Sequence, residues 1–80
     1  MDITALLFAS YADVLGRDRV QLALAPDATV ADALAQILAL PGGEQLPPQP
    51  LVAVNLAYAR RDHRLRAGDE IAVIPPVAGG

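Results

Sequence analysis

The residues of this chain best suited to chemistry are the last two, Gly79 and Gly80, whose α-carboxylate ends the sequence. Glycine carries no side chain to cap an element or fill a core. It offers a thin backbone with conformational freedom that no other residue has. Such a segment can thread a narrow channel and present its carboxylate inside another protein. The competing reading is a frayed end, because termini are commonly small-residue and disordered. What precedes the glycines separates the two: Ile74 is followed by Pro75-Pro76, a stop for strand and helix alike, and then by Val77-Ala78.

No other residues group into a catalytic set. Ser10 and Tyr11 have no base arranged around them, and His63 stands alone between Asp62 and Arg64. Metal binding is not expected, since a site needs several His, Cys or carboxylate ligands. With no cysteine there is neither a thiol nucleophile nor a disulfide framework. Arg60, Arg61, Arg64 and Arg66 form a basic cluster that reads either as a solvated turn or as a steering patch for an acidic partner rim. All six basic residues are Arg. The absence of Lys fits the codon bias of a GC-rich genome, and it also excludes self-conjugation through a side-chain amine.

The elements that must hold the tail can be read from periodicity. Asp2 to Ala9 is an apolar strand with Ile3, Ala5, Leu7 and Ala9 on one face and Thr4, Leu6 and Phe8 on the other. Ser10 is a candidate N-cap for a short helix to Leu15, stopped at Gly16. Arg19 to Leu24 alternates as a second strand. Thr29 with Asp32 resembles a capping box, and Val30, Leu34, Ile37 and Leu38 then form one helical stripe. After a Pro-rich loop to Pro50, Leu51 to Val54 is a third strand, turning at Asn55 toward a short strand at Tyr58 to Arg60. Leu65 to Asp69 is a turn, and Glu70 to Ile74 is the last strand.

Eighty residues in that order define one small α+β domain. The expected architecture is the β-grasp, or ubiquitin-like, fold. It has a mixed sheet of four to five strands, one main helix packed on one face and a short extra helix. The first and last strands lie side by side in the middle, which accounts for their apolar character. The domain is expected to span residues 1–75, with 76–80 as a flexible tail. Phe8, Leu6, Ala72, Ile74 and Tyr58 then share the face away from the main helix, an apolar patch suited to a partner.

Composition narrows the function. The chain is 54% hydrophobic, yet no run approaches a membrane span. Met1-Asp2-Ile3-Thr4 lacks the basic start of a signal peptide, so a cytoplasmic location is expected. A net charge of −3 and three aromatics do not suit nucleic acid, which calls for a basic surface and stacking rings.

Four segments carry a family likeness: Leu6 to Ala9, Val52 to Asn55, Leu65 to Ile71, and Ile74 to Gly80. They resemble the small subunit of molybdopterin synthase, the MoaD family. The hydrophobic-Pro-Pro-Val-x-Gly-Gly tail is the most diagnostic piece, with Ile74 where an aromatic is common. The resemblance implies a sulfur carrier that is a co-substrate, not a catalyst. An E1-like activating enzyme adenylates the Gly80 carboxylate with ATP, and a sulfur-mobilising enzyme's sulfur then replaces one oxygen as a thiocarboxylate. The large subunit, with which the family forms a heterotetramer, takes in the loaded tail for transfer of sulfur to the pterin precursor. On this reading Gly80 carries the sulfur and Gly79 gives a slim approach. Phe8, Tyr58, Ile74, Pro75, Pro76, Val77 and Ala78 meet the partner. No cofactor is bound permanently, since ATP belongs to the activating enzyme.

Two alternatives stay open. One is another β-grasp carrier, either the thiazole-synthesis sulfur carrier or a ubiquitin-related modifier, which also end in Gly-Gly. The other is a β-grasp interaction domain with an inert tail.

Overall fold

Alternation in the strands and one capped helix account for most of the architecture. The computed structural model describes residues 1–46 and 50–75. The strands are β1 (Asp2–Leu7), β2 (Arg19–Ala23), β3 (Leu51–Val54), β4 (Ala57–Tyr58) and β5 (Glu70–Ile74), and the helices are α1 (Ser10–Leu15) and α2 (Val30–Leu38). A 3-10 turn at Gly43–Gln45 follows α2. The five strands form one mixed sheet in the order β2-β1-β5-β3-β4.

β1 and β5 pair in parallel, with Thr4 opposite Glu70 and Leu7 opposite Val73. β2 runs antiparallel along the other edge of β1, and β3 antiparallel along the other edge of β5. β5 is thus hydrogen-bonded on both sides. Its inward residues Ile71 and Val73 are fully buried, as are Ile3, Ala5 and Leu7 of β1. Val20, Leu22, Val52 and Val54 complete the inner face of the sheet.

α2 covers that face. Its capping box is formed: Asp32 N donates to Thr29 Oγ1 at 3.4 Å, and Thr29 N donates to Asp32 Oδ2 at 2.9 Å. Val30, Ala33, Leu34 and Ile37 face the core. Leu38, expected on the stripe, is instead 43% exposed. At about 100° per residue it lies roughly 80° around the helix from Val30, at the stripe's edge, and Ala33 fills the place toward the sheet. The next two N–H groups of α2 are met by a neighbouring loop, Val30 N donating to His63 O and Ala31 N to Arg61 O.

α1 and the 3-10 turn close the same core from the other end of α2. Tyr11 is fully buried, and Leu46 joins it. α1 begins one residue earlier than a Ser10 cap implies. Ala9 occupies the cap position with φ 49° and ψ −124°, and its side chain makes no capping bond. Strand β1 accordingly stops at Leu7, and Ala9 is exposed rather than inward. Gly16 ends α1 in the left-handed conformation, with its N–H donating to Ala12 O. β4 spans Ala57–Tyr58, shorter and earlier than the expected Tyr58 to Arg60.

Candidate functional site: the open sheet face and the root of the tail

The open face of the sheet is built from the residues that alternate outward. Register places Arg19, Leu6, Ala72, Ala53 and Tyr58 in one row across β2, β1, β5, β3 and β4. Two alanines at the centre of that row, on facing positions of β5 and β3, leave a trough where larger side chains would fill the face. Phe8 N donates to Val73 O, which keeps Phe8 beside the end of β5, and Leu51 lies opposite Ile74. The result is an apolar groove of about 300 Å³ lined by Phe8, Ala53, Leu56, Tyr58, Ala72 and Ile74. Neither α1 nor the 3-10 turn reaches it, because both belong to the core on the opposite face.

The groove is exposed in a way apolar surface seldom is. Phe8 is 45% exposed, Tyr58 75% and Leu56 96%. A contiguous apolar patch of this kind on a small domain is a candidate interaction site. One end lies at Ile74, from which the chain continues through Pro75. The structure therefore brings Phe8, Tyr58 and Ile74 together and sets Pro75 at the root of the tail. Pro76, Val77, Ala78, Gly79 and Gly80 lie outside the described residues. Leu6 is half-buried and contributes to a smaller depression beside Phe8, Asp18 and Arg19.

The far end of the groove is the β3–β4 turn. Val54 pairs with Ala57, so Asn55-Leu56 is a two-residue hairpin loop. Both residues have positive φ, 49° and 75°, as a type I′ turn requires. Asn55 is suited to that backbone and is tied in place. Its N donates to Glu70 O at 2.8 Å, its Nδ2 donates to Asp69 Oδ1 at 3.0 Å, and its Oδ1 accepts from Glu70 N at 3.0 Å. Leu56 was not singled out by the sequence reading, although Asn-x between two apolar runs is a hairpin signal that places x at the tip.

Charged side chains are peripheral. The described residues include no buried charged side chain and no group of three or more His, Cys, Asp or Glu. Burial pushes the Tyr11 phenol above its ordinary 10.0, with the Arg61 guanidinium opposing in part. Of the Arg cluster, Arg61 donates to Pro50 O, and Arg60 lies 3.6 Å from Asp62 in an exposed pair. Arg64 and Arg66 line an open cleft of about 690 Å³ with Asp27, His63 and Asp69. That cleft lies by Val54 and the start of β5, at the opposite end of the sheet from the tail root. No helix among the described residues is long and apolar enough to cross a membrane.

A mixed sheet with parallel first and last strands in its centre, one covering helix and an open apolar face defines a ubiquitin-like β-grasp protein. The crystal structure of SAMP1 from Haloferax volcanii shares the fold over 100% of both chains, with TM-score 0.86 and 30% identity. The chain belongs to the ThiS family, whose model matches residues 5–80. It is 36% identical to the molybdopterin synthase sulfur carrier subunit of Chlamydomonas reinhardtii over 100% of both chains. It is also 36% identical to the protein of that name from Escherichia coli, covering 98% of this chain and 99% of the relative.

Proposed function

We propose that this protein is the sulfur carrier of molybdenum cofactor biosynthesis and acts through the Gly80 carboxylate. The observation that carries the reading is full-length similarity to relatives named as sulfur carrier subunits, together with a central strand that continues into Pro75-Pro76-Val77-Ala78-Gly79-Gly80. A carboxylate is a poor acyl donor because its leaving group is poor. Attack of the Gly80 carboxylate on the α-phosphorus of ATP releases pyrophosphate and makes AMP the leaving group. A sulfur nucleophile then displaces AMP, and the carbonyl carbon ends bonded to sulfur as a thiocarboxylate. The chain has no cysteine, so that sulfur is supplied by a sulfur-mobilising enzyme, and the adenylation by an E1-like enzyme.

The rest of the chain positions the tail. Residues 1–75 act as a rigid base and 76–80 as the inserted segment. Five residues follow Pro75, and covalent geometry limits their reach to about 18 Å. The acceptor site in the large subunit of molybdopterin synthase therefore lies within that distance of Pro75, at the end of the central strand β5. Docking of that subunit on the Phe8–Tyr58–Ile74 groove would bring it there. Two small subunits and two large ones then form the heterotetramer. No cofactor is held by the chain itself, and ATP is bound by the activating enzyme.

The test is mass spectrometry of the protein after incubation with the activating enzyme, ATP and a sulfur donor. Replacement of one oxygen by sulfur at Gly80 is expected, and no replacement where a known carrier is loaded would sink the reading. Deleting Gly79-Gly80 is expected to abolish loading; survival of function without them would favour an inert tail. Loaded protein added to the large subunit and the pterin precursor is expected to yield dithiolene. Thiazole formation instead would assign the chain to thiamine synthesis. The likeness to SAMP1, a small archaeal modifier protein, favours a second role as a protein modifier. Conjugates in cells carrying a tagged copy would demonstrate it.

A further inference from the structure

Leu56 breaks the local rules in two ways at once. It occupies the second position of a type I′ turn at φ 75°, where glycine is the favoured residue and a side chain with a Cβ is strained. It is also 96% exposed, so its isobutyl group contributes almost no burial to the folded domain. Neither property helps the isolated chain. A glycine there would relieve the backbone and remove an apolar group from water.

The surroundings supply a reason for it. Leu56 forms the far rim of the groove whose near rim is Phe8 and Ile74, with Tyr58 between them. The turn that carries it is fixed to the start of β5 by the three hydrogen bonds of Asn55, so the side chain is presented on a rigid mount. The groove is continuous with the root of the tail. A protein that takes the tail in must therefore abut this face, and an apolar one would cover it.

We propose that Leu56 is an affinity anchor for the large subunit, held in a strained turn at the expense of the carrier's own stability. The proposal rests on the docking reading above and adds the residue that sets the distal limit of the contact. Strained backbone conformations cluster at active sites and ligand clamps, so an outlier such as this one motivates a functional hypothesis. Here it gives two observables with opposite signs in a single substitution.

The experiment measures the melting temperature of the free protein and its Kd for its cognate large subunit. It uses the wild type, Leu56→Gly, Leu56→Asn and Leu56→Met. Leu56→Gly is expected to raise Tm by about 2–6 °C, since relief of the left-handed strain outweighs glycine's extra chain entropy. Its Kd is expected to rise by about 10–100-fold, the effect of withholding one fully buried Leu side chain. Leu56→Asn, polar and tolerant of positive φ, is expected to lose affinity similarly without losing stability. Leu56→Met, of similar volume and apolar, is expected to bind within about threefold of the wild type. Wild-type affinity in Leu56→Gly, or a Tm at or below that of the wild type, overturns the anchor proposal alone. Absence of any wild-type complex overturns the docking reading as well, so the two failures are distinguishable.

Discussion

Replacing Asn55 by Ala tests whether the β3–β4 turn is fixed by a side chain or by strand pairing alone. The substitution removes two side-chain hydrogen bonds, to Asp69 Oδ1 and from Glu70 N, both 3.0 Å long and solvent-exposed. Exposed bonds of this kind sit toward the lower part of their range, so the pair contributes about 1–2 kcal/mol. Alanine at φ 49° adds about 1 kcal/mol of left-handed strain that Asn largely avoids. The expected total is about 2–3 kcal/mol, which for a domain of this size lowers Tm by roughly 10–20 °C. Urea unfolding followed by circular dichroism measures it, with m unchanged if the native state stays intact. A cycle with Asp69→Ala isolates one of the bonds and is expected to show a coupling of about 0.5–1 kcal/mol. An Asn55→Ala protein within about 0.5 kcal/mol of the wild type, or no coupling in the cycle, would refute the reasoning, because the turn would then owe nothing to this side chain.

Other perturbations probe the frame. Thr29→Ala breaks the capping box and is expected to cost about 1 kcal/mol by denaturant unfolding. Gly43→Ala places a Cβ in overlap with the Leu38 carbonyl, a backbone group that cannot swing aside. Disruption of the α2 end and a drop in Tm beyond that of Thr29→Ala are expected, read by thermal unfolding. Tyr58→Ala removes a largely exposed ring, so stability is expected to stay within about 0.5 kcal/mol while affinity for the large subunit falls more than tenfold in calorimetric titration. Burial raises the Tyr11 pKa in the folded state. The folded chain therefore keeps that proton when the unfolded chain has lost it, and the stabilisation is complete below the unfolded value of 10.0 and lost as pH rises above it. Tyr11→Phe is expected to flatten this alkaline limb in pH-dependent denaturation curves.

Much of the fold was legible because its signals are local. Ile3, Ala5 and Leu7 alternate in β1, and Thr29 with Asp32 marks the start of α2. The apolar character of both β1 and β5 foretold that they lie in the middle of the sheet. Leu38 was misplaced because a stripe read at i+8 has drifted to the helix edge, where burial depends on what packs alongside. Alternation extends the strand to Ala9 because it carries no information about the sharp turn after Phe8. Part of the apolar face was visible too, since Phe8, Ala72 and Ile74 alternate outward from strands whose other face is core. Ala53 and Leu56 were harder to see. A trough depends on which small residues fall opposite one another across the sheet, and that register is a tertiary property.

The parallel pairing of β1 with β5 also governs how the chain acquires its shape. Those strands come from opposite ends of the sequence, so one of the two ladders of the central strand is the least local strand pairing among the described residues. Contacts of this kind slow folding, because the intervening chain must close before they contribute. On the ribosome, β1 and α2 emerge long before β5 and cannot complete the sheet without it. A nascent chain interrupted before Glu70 lacks both neighbours' partner strand and exposes the inner edges of β1 and β3. The strand that leads to Pro75 is thus the same one that finishes the fold, so under the proposed carrier role a chain that offers Gly-Gly to a partner is one that has already passed its own test of completeness.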